Sequence, residues 1–360
     1  MHMQTVPNSH RRARRGRVLV AAIATAGLLA ACSSSTDTAE PSPAPAPAPD
    51  AAPAEPDFEL TRDIRFIVTY SPGGGFDTYS RGFAQVLGET YANGQSVVVD
   101  NVTPIQEGVN TIFTSDADGY LIGMLPFPAA IAQEILFPDV SPWVTEEFTI
   151  LGSIEENDYA VYVKSDSPYQ SVADLQAGSG LKALTVEKGS SSSLAALAAI
   201  GGLDLDASLI FGAEGSAEVG AALIRGDIDF AVYGATDFTG FVESGDLTPI
   251  LFLGAEESKP DVDYLRDVQT VRAAGFPDLE GAVTEVRLIT GPPGMSPEVE
   301  AFWKAKAAEI MFSAELQAWS ETAGRPIVPR DAASAQVIVD AQIANFRENA
   351  EFFRTLFEAN

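Results

Sequence analysis

Cysteine and histidine are almost missing from this chain. Cys32 is the single cysteine among 360 residues, and the histidines are His2 and His10. One cysteine forms no disulfide within the chain. Beyond Cys32 there is neither a thiol nor an imidazole. That excludes Ser-His-Asp and Cys-His nucleophilic catalysis there, and every zinc site built on His or Cys ligands. Positive charge is scarce too: 22 Lys and Arg stand against 50 Asp and Glu, a formal net charge of −28. Nucleic acid and anionic surfaces repel so acidic a protein, so no nucleic-acid partner is expected.

The positive charge that exists is concentrated at the start, in Arg11, Arg12, Arg14, Arg15 and Arg17. The apolar run VLVAAIATAGLLAA follows at 18–31. It is shorter than the roughly 17 residues a membrane-crossing helix needs. With its basic flank and small residues it has the pattern of a secretory signal, assigned to 1–31. Leu29-Ala30-Ala31-Cys32 resembles a bacterial lipobox, which implies a diacylated Cys32 and a protein held on the outer face of the cell membrane. The general secretory and twin-arginine routes both stay open, since Gly16-Arg17 stand where apolar residues would follow the Arg14-Arg15 pair. Loss of 1–31 removes five arginines and no acid, leaving 17 basic against 50 acidic residues. Residues 32–57 carry seven prolines, most alternating with alanine. That composition favours an extended tether, with a reach of roughly 75 Å at about 3.1 Å per residue.

From about residue 58 the composition becomes that of a folded module. Strand-like runs occur at 65–70, 96–100, 121–125, 160–163, 183–186, 209–211, 229–233, 248–253 and 287–290. Helical patterns lie between many of them, at 78–87, 194–200, 217–225 and 298–312. A final helical pattern covers 333–357. This alternation argues for an α/β fold with largely parallel sheets.

The segment IRFIVTYSPGGGFDTYSR at 64–81 carries the clearest chemistry. An apolar strand feeds a glycine loop, and Asp77 and Thr78 offer helix N-cap chemistry. Strand, glycine loop and helix start together aim free N–H groups and a helix dipole at one spot, which suits an anion. The nucleotide alternatives fail on spacing: Gly73, Gly74 and Gly75 are consecutive, and the loop ends in Phe76-Asp77 rather than G-K-[ST].

Further landmarks follow in order: VVVDNVTP at 97–104, DADGYLIGM at 116–124, GSSSSLAALA at 189–198, FGAEGSAEVGAALIRGDIDFAVYG at 211–234 and LITGPPGMSPEV at 288–299. With the first loop, this succession resembles the substrate-binding proteins of tripartite tricarboxylate transporters, the Bug receptors, over nearly the whole module. Two places depart from the family. Val102-Thr103-Pro104-Ile105-Gln106-Glu107-Gly108 stands where a Pro-Gly-Ala-Gly-Gly stretch is usual, and the serine loop lacks a basic or imidazole residue.

The resemblance implies a two-lobed periplasmic-binding-protein-like flytrap, each lobe a mixed, largely parallel sheet flanked by helices, with a cleft between them. Lobe one is placed at 58–158 plus 287–360, and lobe two at 159–286. Lobe one would offer Tyr70, Pro72, Gly73, Gly74, Gly75, Phe76 and Asp77 to a ligand. Asp77 reads first as a loop organiser, because it would repel a carboxylate, and as a contact if the ligand bears an amine. Lobe two would offer Ser190, Ser191, Ser192 and Ser193 at a helix start, where hydroxyls and N–H groups can bond carboxylate oxygens. Glu214, Gly215 and Ser216 form a second loop, with Ala235 and Asp237 in a third.

The implied function is extracytoplasmic capture of a small di- or tricarboxylate, delivered to integral membrane permease subunits by a monomer with no cofactor, no metal and no catalysis. A receptor for an amine-bearing or neutral ligand is the alternative, and a secreted carboxylate-pair hydrolase is a third reading.

Overall fold

The structure is a computed structural model that describes residues 58–359. The signal, lipidation and tether readings, with Cys32, lie outside the described residues. The chain first forms β1 (Ile64–Val68), α1 (Gly75–Val86), β2 (Val97–Asn101), α2 (Ile105–Phe113), β3 (Leu121–Phe127), α3 (Ala129–Leu136) and β4 (Thr149–Asn157). Next come β5 (Tyr159–Lys164), α4 (Val172–Ala177), β6 (Leu181–Thr185), α5 (Ser191–Gly202), β7 (Ala207–Phe211), α6 (Ser216–Arg225), β8 (Ala231–Gly234), α7 (Thr239–Glu243) and β9 (Leu247–Phe252). The last run is β10 (Glu285–Gly291), α8 (Pro297–Met311), α9 (Ala314–Ala323), β11 (Arg330–Asp331), α10 (Ala332–Glu348) and α11 (Ala350–Ala359).

Two lobes result. The first is built on a six-stranded sheet in the order β11-β4-β10-β3-β1-β2, the second on the sheet β8-β5-β9 and the pair β6-β7. β3 (LIGMLPF) is buried along its whole length. A strand covered on both faces reads as a continuous apolar run, as this one does. On one face Phe66, Met124, Tyr79 and Trp303 share a core, and on the other Ile67, Leu125, Ile105 and Val109 do.

Parallel pairing joins β1 to β2, β1 to β3 and β6 to β7. The pairings of β10, β11 and β5 are antiparallel. Parallel ladders therefore hold a smaller share than the strand–helix alternation suggests. The reason is topological, because β10 returns from the second lobe and inserts between β3 and β4 against their direction.

The chain leaves the large sheet after β4, through Asp158, and re-enters it at β10, just after Thr284. Thr284 Oγ1 donates to Asp158 Oδ1 at 2.6 Å, and Ser258 Oγ donates to Asp158 Oδ2 at 2.5 Å. The Thr284 bond holds the two crossings side by side, and the Ser258 bond ties the first of them to the second lobe. Burial pushes the Asp158 carboxyl above its ordinary value.

Two local expectations are corrected. The pattern at 333–357 suggests one helix, but two occur, α10 and α11, separated at Asn349. Asn349 Nδ2 donates to the Asn345 carbonyl at 2.9 Å, so the side chain helps close the first helix. α10 packs on β4 and α3, and α11 on α3 and α5, so the C-terminal helices reach from the first lobe to the second. Helix α1 starts at Gly75, ahead of the expected Asp77-Thr78 cap, and its N-cap Gly74 makes no side-chain bond.

Candidate ligand-binding cleft

The loop between β1 and α1 is shaped from within. Gly73 has φ +89°, a left-handed conformation that favours glycine. Asp77 Oδ2 accepts from the Gly73 N–H at 2.9 Å and Oδ1 from Asn101 Nδ2 at 2.9 Å, while Arg81 pairs with the same carboxylate at 2.9 Å. Although burial opposes the charged form, the bonds from Arg81, Gly73 and Asn101 hold the Asp77 carboxyl below its ordinary value. Asp77 thus fixes the loop so that Gly74, Gly75 and Phe76 face the second lobe.

Those residues line a small cavity between the lobes, of about 30 Å³. Tyr70 and Phe76 stack over it with centroids 4.5 Å apart. From the second lobe Ser192, at the start of α5, lines the same space, as do Glu214, Gly215 and Ser216 before and at the start of α6, and Asp237 after β8. A Cβ built on Gly74 would lie 3.8 Å from Ser216 Oγ, so the starts of α1 and α6 face each other at contact distance. A second cavity of about 240 Å³ adjoins the first and shares Tyr70, Ser71 and Glu214 with it.

Pro72, Gly73, Asp77, Ser190, Ser191, Ser193 and Ala235 do not line the first cavity. Ser190 Oγ accepts from the Ser193 N–H at 3.2 Å as N-cap of α5, and Ser193 Oγ donates to the Ser190 carbonyl at 2.8 Å. Ser192 Oγ bonds Thr185 Oγ1 at 2.9 Å. The Ala235 carbonyl accepts from the Tyr162 hydroxyl at 2.8 Å.

The floor of the cavity holds side chains that sequence reasoning passed over: Tyr159, Tyr233, Glu285 and Arg287. Arg287 on β10 is 1% exposed and is surrounded by three carboxylates. Its Nη1 pairs with Glu155, its partner residue across the β10–β4 ladder. Its Nη2 lies 2.9 Å from Glu285 Oε1 and 3.1 Å from Asp237 Oδ1. The guanidinium also sits over the rings of Phe76 and Tyr79, at 4.9 and 4.8 Å. Tyr159 donates its hydroxyl to Glu285 Oε2 at 3.1 Å, and Arg325 Nη1 donates to the Thr236 carbonyl at 2.9 Å. A signal for this cluster was present in Thr284-Glu285-Val286-Arg287-Leu288-Ile289: two opposite charges two positions apart in an apolar strand point to the same face.

Burial lowers the Arg287 pKa to about 10, which leaves it cationic at neutral pH. Burial raises Glu285 well above its ordinary value and pushes Asp237 up to about 6. A pH dependence follows. Between the ordinary carboxylate value of 3.8 and about 6, the folded protein keeps on Asp237 a proton that the unfolded chain releases. Stability from this group therefore falls as pH rises through that window, and the whole loss is present above it. Asp237→Asn should gain in melting temperature relative to wild type as the pH is taken from about 4 to about 7. Calorimetry of both proteins across that range checks it, and a pH-independent difference would contradict the assignment.

Comparison with solved structures fits this geometry. The periplasmic binding protein BugD superposes with a TM-score of 0.69 at 18% identity, over 82% of this chain and 98% of that one. A protein of R. palustris with adipate gives 0.70 at 22% identity, over 81% and 97%. The fold is that of the periplasmic binding proteins. MatC from Rhodopseudomonas palustris with bound malate gives 0.69 at 18%, over 82% and 99%. No protein-family profile matches the sequence, and no curated protein sequence matches it. In a periplasmic-binding-protein fold the cleft between lobes is where a hinge closes, and here the facing starts of α1 and α6 occupy that place.

Proposed function

We propose that this chain is an extracytoplasmic solute receptor of the tripartite tricarboxylate type. It captures a small carboxylate between its lobes and delivers it, chemically unchanged, to integral membrane permease subunits. The observation that carries this reading is the convergence of three helix starts on one cavity, through Gly74 and Gly75 of α1, Ser192 of α5, and Gly215 and Ser216 of α6. Backbone N–H groups and dipole ends so placed hold a carboxylate without a free cation. Malate and adipate accompany solved proteins of the same fold, which supports a carboxylate ligand. The cavity is too small for such a molecule as it stands, so entry requires the lobes to part about the crossings at Asp158 and Thr284.

In this reading lobe one comprises 58–158 and 287–360, and lobe two 159–286. The protein is exported, lipid-anchored through Cys32 and monomeric, and the Leu29-to-Cys32 sequence supports the anchor. The carboxylate-pair hydrolase is less well supported, because Asp237 and Glu285 both engage the same Arg287 nitrogen.

A thermal-shift panel of di- and tricarboxylates, aromatic acids, amino acids and sugars tests the reading. A ligand at a hundred times its Kd adds about 2.7 kcal/mol of stability, which raises the melting temperature by several degrees. We expect one carboxylate to do this and to be recovered intact. Stabilisation by a sugar alone, or conversion of the ligand, would overturn it.

A further inference from the structure

We infer that residues 187–189 are a latch built into the second lobe. They shut the far rim of the cleft through protein–protein bonds, and so set how fast its contents exchange. The inference rests on the receptor reading only for what passes through the cleft. Glu187 Oε1 accepts from the Ile105 N–H at 2.8 Å, at the first turn of α2. The Lys188 carbonyl accepts from Gln133 Nε2 of α3 at 2.6 Å. Gln133 is fully buried, and its Oε1 accepts from Gln106 Nε2 at 2.9 Å. Gly189 has φ +79°, and a Cβ there would fall 2.7 Å from Gln133 Nε2, so glycine lets the loop lie against the first lobe. Ile105 and Gln106 belong to the stretch at 102–108 that departs from the family pattern.

The place of these bonds gives them leverage. The order β11-β4-β10-β3-β1-β2 puts β2, which leads into α2, at the sheet edge and three strands from β10. At about 4.8 Å per strand, that is about 14 Å from the returning crossing. The Asp237–Arg287 contact, by comparison, is made on β10 itself. A hinge at Asp158 and Thr284 therefore opens the rim at Glu187 widely, and the lobes part only if the latch bonds break.

Every partner in these bonds is a protein atom. The latch thus lowers the energy of the shut form by the same amount whether or not a ligand is held, and the unliganded protein is kept shut as well. Release of the latch then limits both entry to the cavity of about 30 Å³ and exit from it, while affinity is nearly untouched. The loop runs directly into α5, so Ser192, which lines that cavity, moves with it. Burial raises the Glu187 carboxyl above its ordinary value, and the Ile105 bond works the other way. Closing therefore strips water from a charge, which keeps the latch weak enough to release.

The test needs no ligand. Spin labels on Thr114→Cys, at the end of α2, and Ser208→Cys, on β7, in a Cys32→Ser background, report the width of the rim by pulsed electron resonance. The otherwise wild-type chain should give one short distance. Glu187→Ala and Gln133→Leu should each raise the share of a longer distance about tenfold, with circular dichroism unchanged. Glu187→Gln, which keeps the acceptor oxygen without the charge, should stay as shut as wild type. A mainly long distance in the wild type, or distances that neither Glu187→Ala nor Gln133→Leu alters, would overturn the latch and leave the receptor reading standing. For each carboxylate of the panel that binds, stopped-flow fluorescence should show both association and dissociation about tenfold faster in Gln133→Leu, with Kd changed by less than about threefold. Faster dissociation alone would mean that the lobes close only on a ligand, and would also overturn the latch. If the distances behave as stated and no carboxylate binds, the receptor reading fails and the latch stands.

Discussion

Replacing Arg287 by Leu should lower the stability of the folded protein by about 3–5 kcal/mol, the cost of leaving buried charge without its partner. For a domain of this size that is a fall in melting temperature of about 10 °C. The size of the effect follows from the geometry. Glu155, Glu285 and Asp237 all face this one side chain, which is 1% exposed. Without the guanidinium, three carboxylates lie together in a water-poor space, and each must either repel its neighbours or take up a proton. A sign inversion provides the sharper check. In the wild type, Glu155→Gln should be destabilising, because it removes a paired anion. In the Arg287→Leu background the same change should be stabilising, because it removes an unpaired one. A double-mutant cycle measured by thermal or denaturant unfolding reads the coupling directly. Additive effects of the two substitutions would mean that water reaches the cluster and the charges do not act on one another.

The fold was legible wherever local pattern and tertiary role agree. The apolar runs at 121–125 and 160–163 coincide with β3 and β5, because buried strands write their burial into the sequence. β4 was not legible. Thr149-Ile150-Leu151-Gly152-Ser153-Ile154-Glu155-Glu156-Asn157 holds a glycine and two acids, and reads locally as a turn. It becomes a strand because β10 and β11 pair with its two edges, and Arg287 accepts the charge of Glu155. α2 was missed for a related reason: its first turn has no cap of its own, and Glu187 from the second lobe accepts from the Ile105 N–H at 2.8 Å.

The candidate site divides along the same line. The glycine loop and the helix starts at Ser192 and Ser216 were readable, since capping chemistry is local. The cluster at Arg287 was not, since its four charges come from three separate stretches of chain, around residues 155, 237 and 285–287. Nothing in local spacing marks Glu155 and Asp237 as neighbours. The readable half offers N–H groups to an anion, and the unreadable half places Arg287 and the acids paired with it against the same cavity.

Gly75→Ala should abolish tight ligand binding while leaving the chain folded. Gly75 is the first residue of α1 and does not have a positive φ, so alanine fits its backbone. Alanine is also the better helix former, by up to about 1 kcal/mol in a helix interior. The obstacles are Arg287, on β10 of the same lobe, and Asp237 across the cleft. The new methyl group would come within 2.3 Å of Asp237 Oδ1 and 2.6 Å of Arg287 Nη2. Ends of side chains usually yield to such a contact, but these two hold each other, and Arg287 is tied to Glu155 and Glu285 as well. Arg287 must shift within the first lobe, and either its contact with Asp237 breaks or the lobes stay apart. Overpacking of this kind costs about 1–3 kcal/mol, and the disturbed ion pair adds to it, so affinity should fall by about 100-fold or more. Gly74→Ala is the control. Its Cβ would meet Ser216 Oγ at 3.8 Å, an ordinary contact, so affinity should change by less than about threefold. Titration of both variants with the best ligand from the wild-type panel, alongside their melting curves, separates closure from folding. Full affinity in Gly75→Ala would mean that the bound state does not bring Asp237 against the start of α1, and that the ligand is held elsewhere in the cleft.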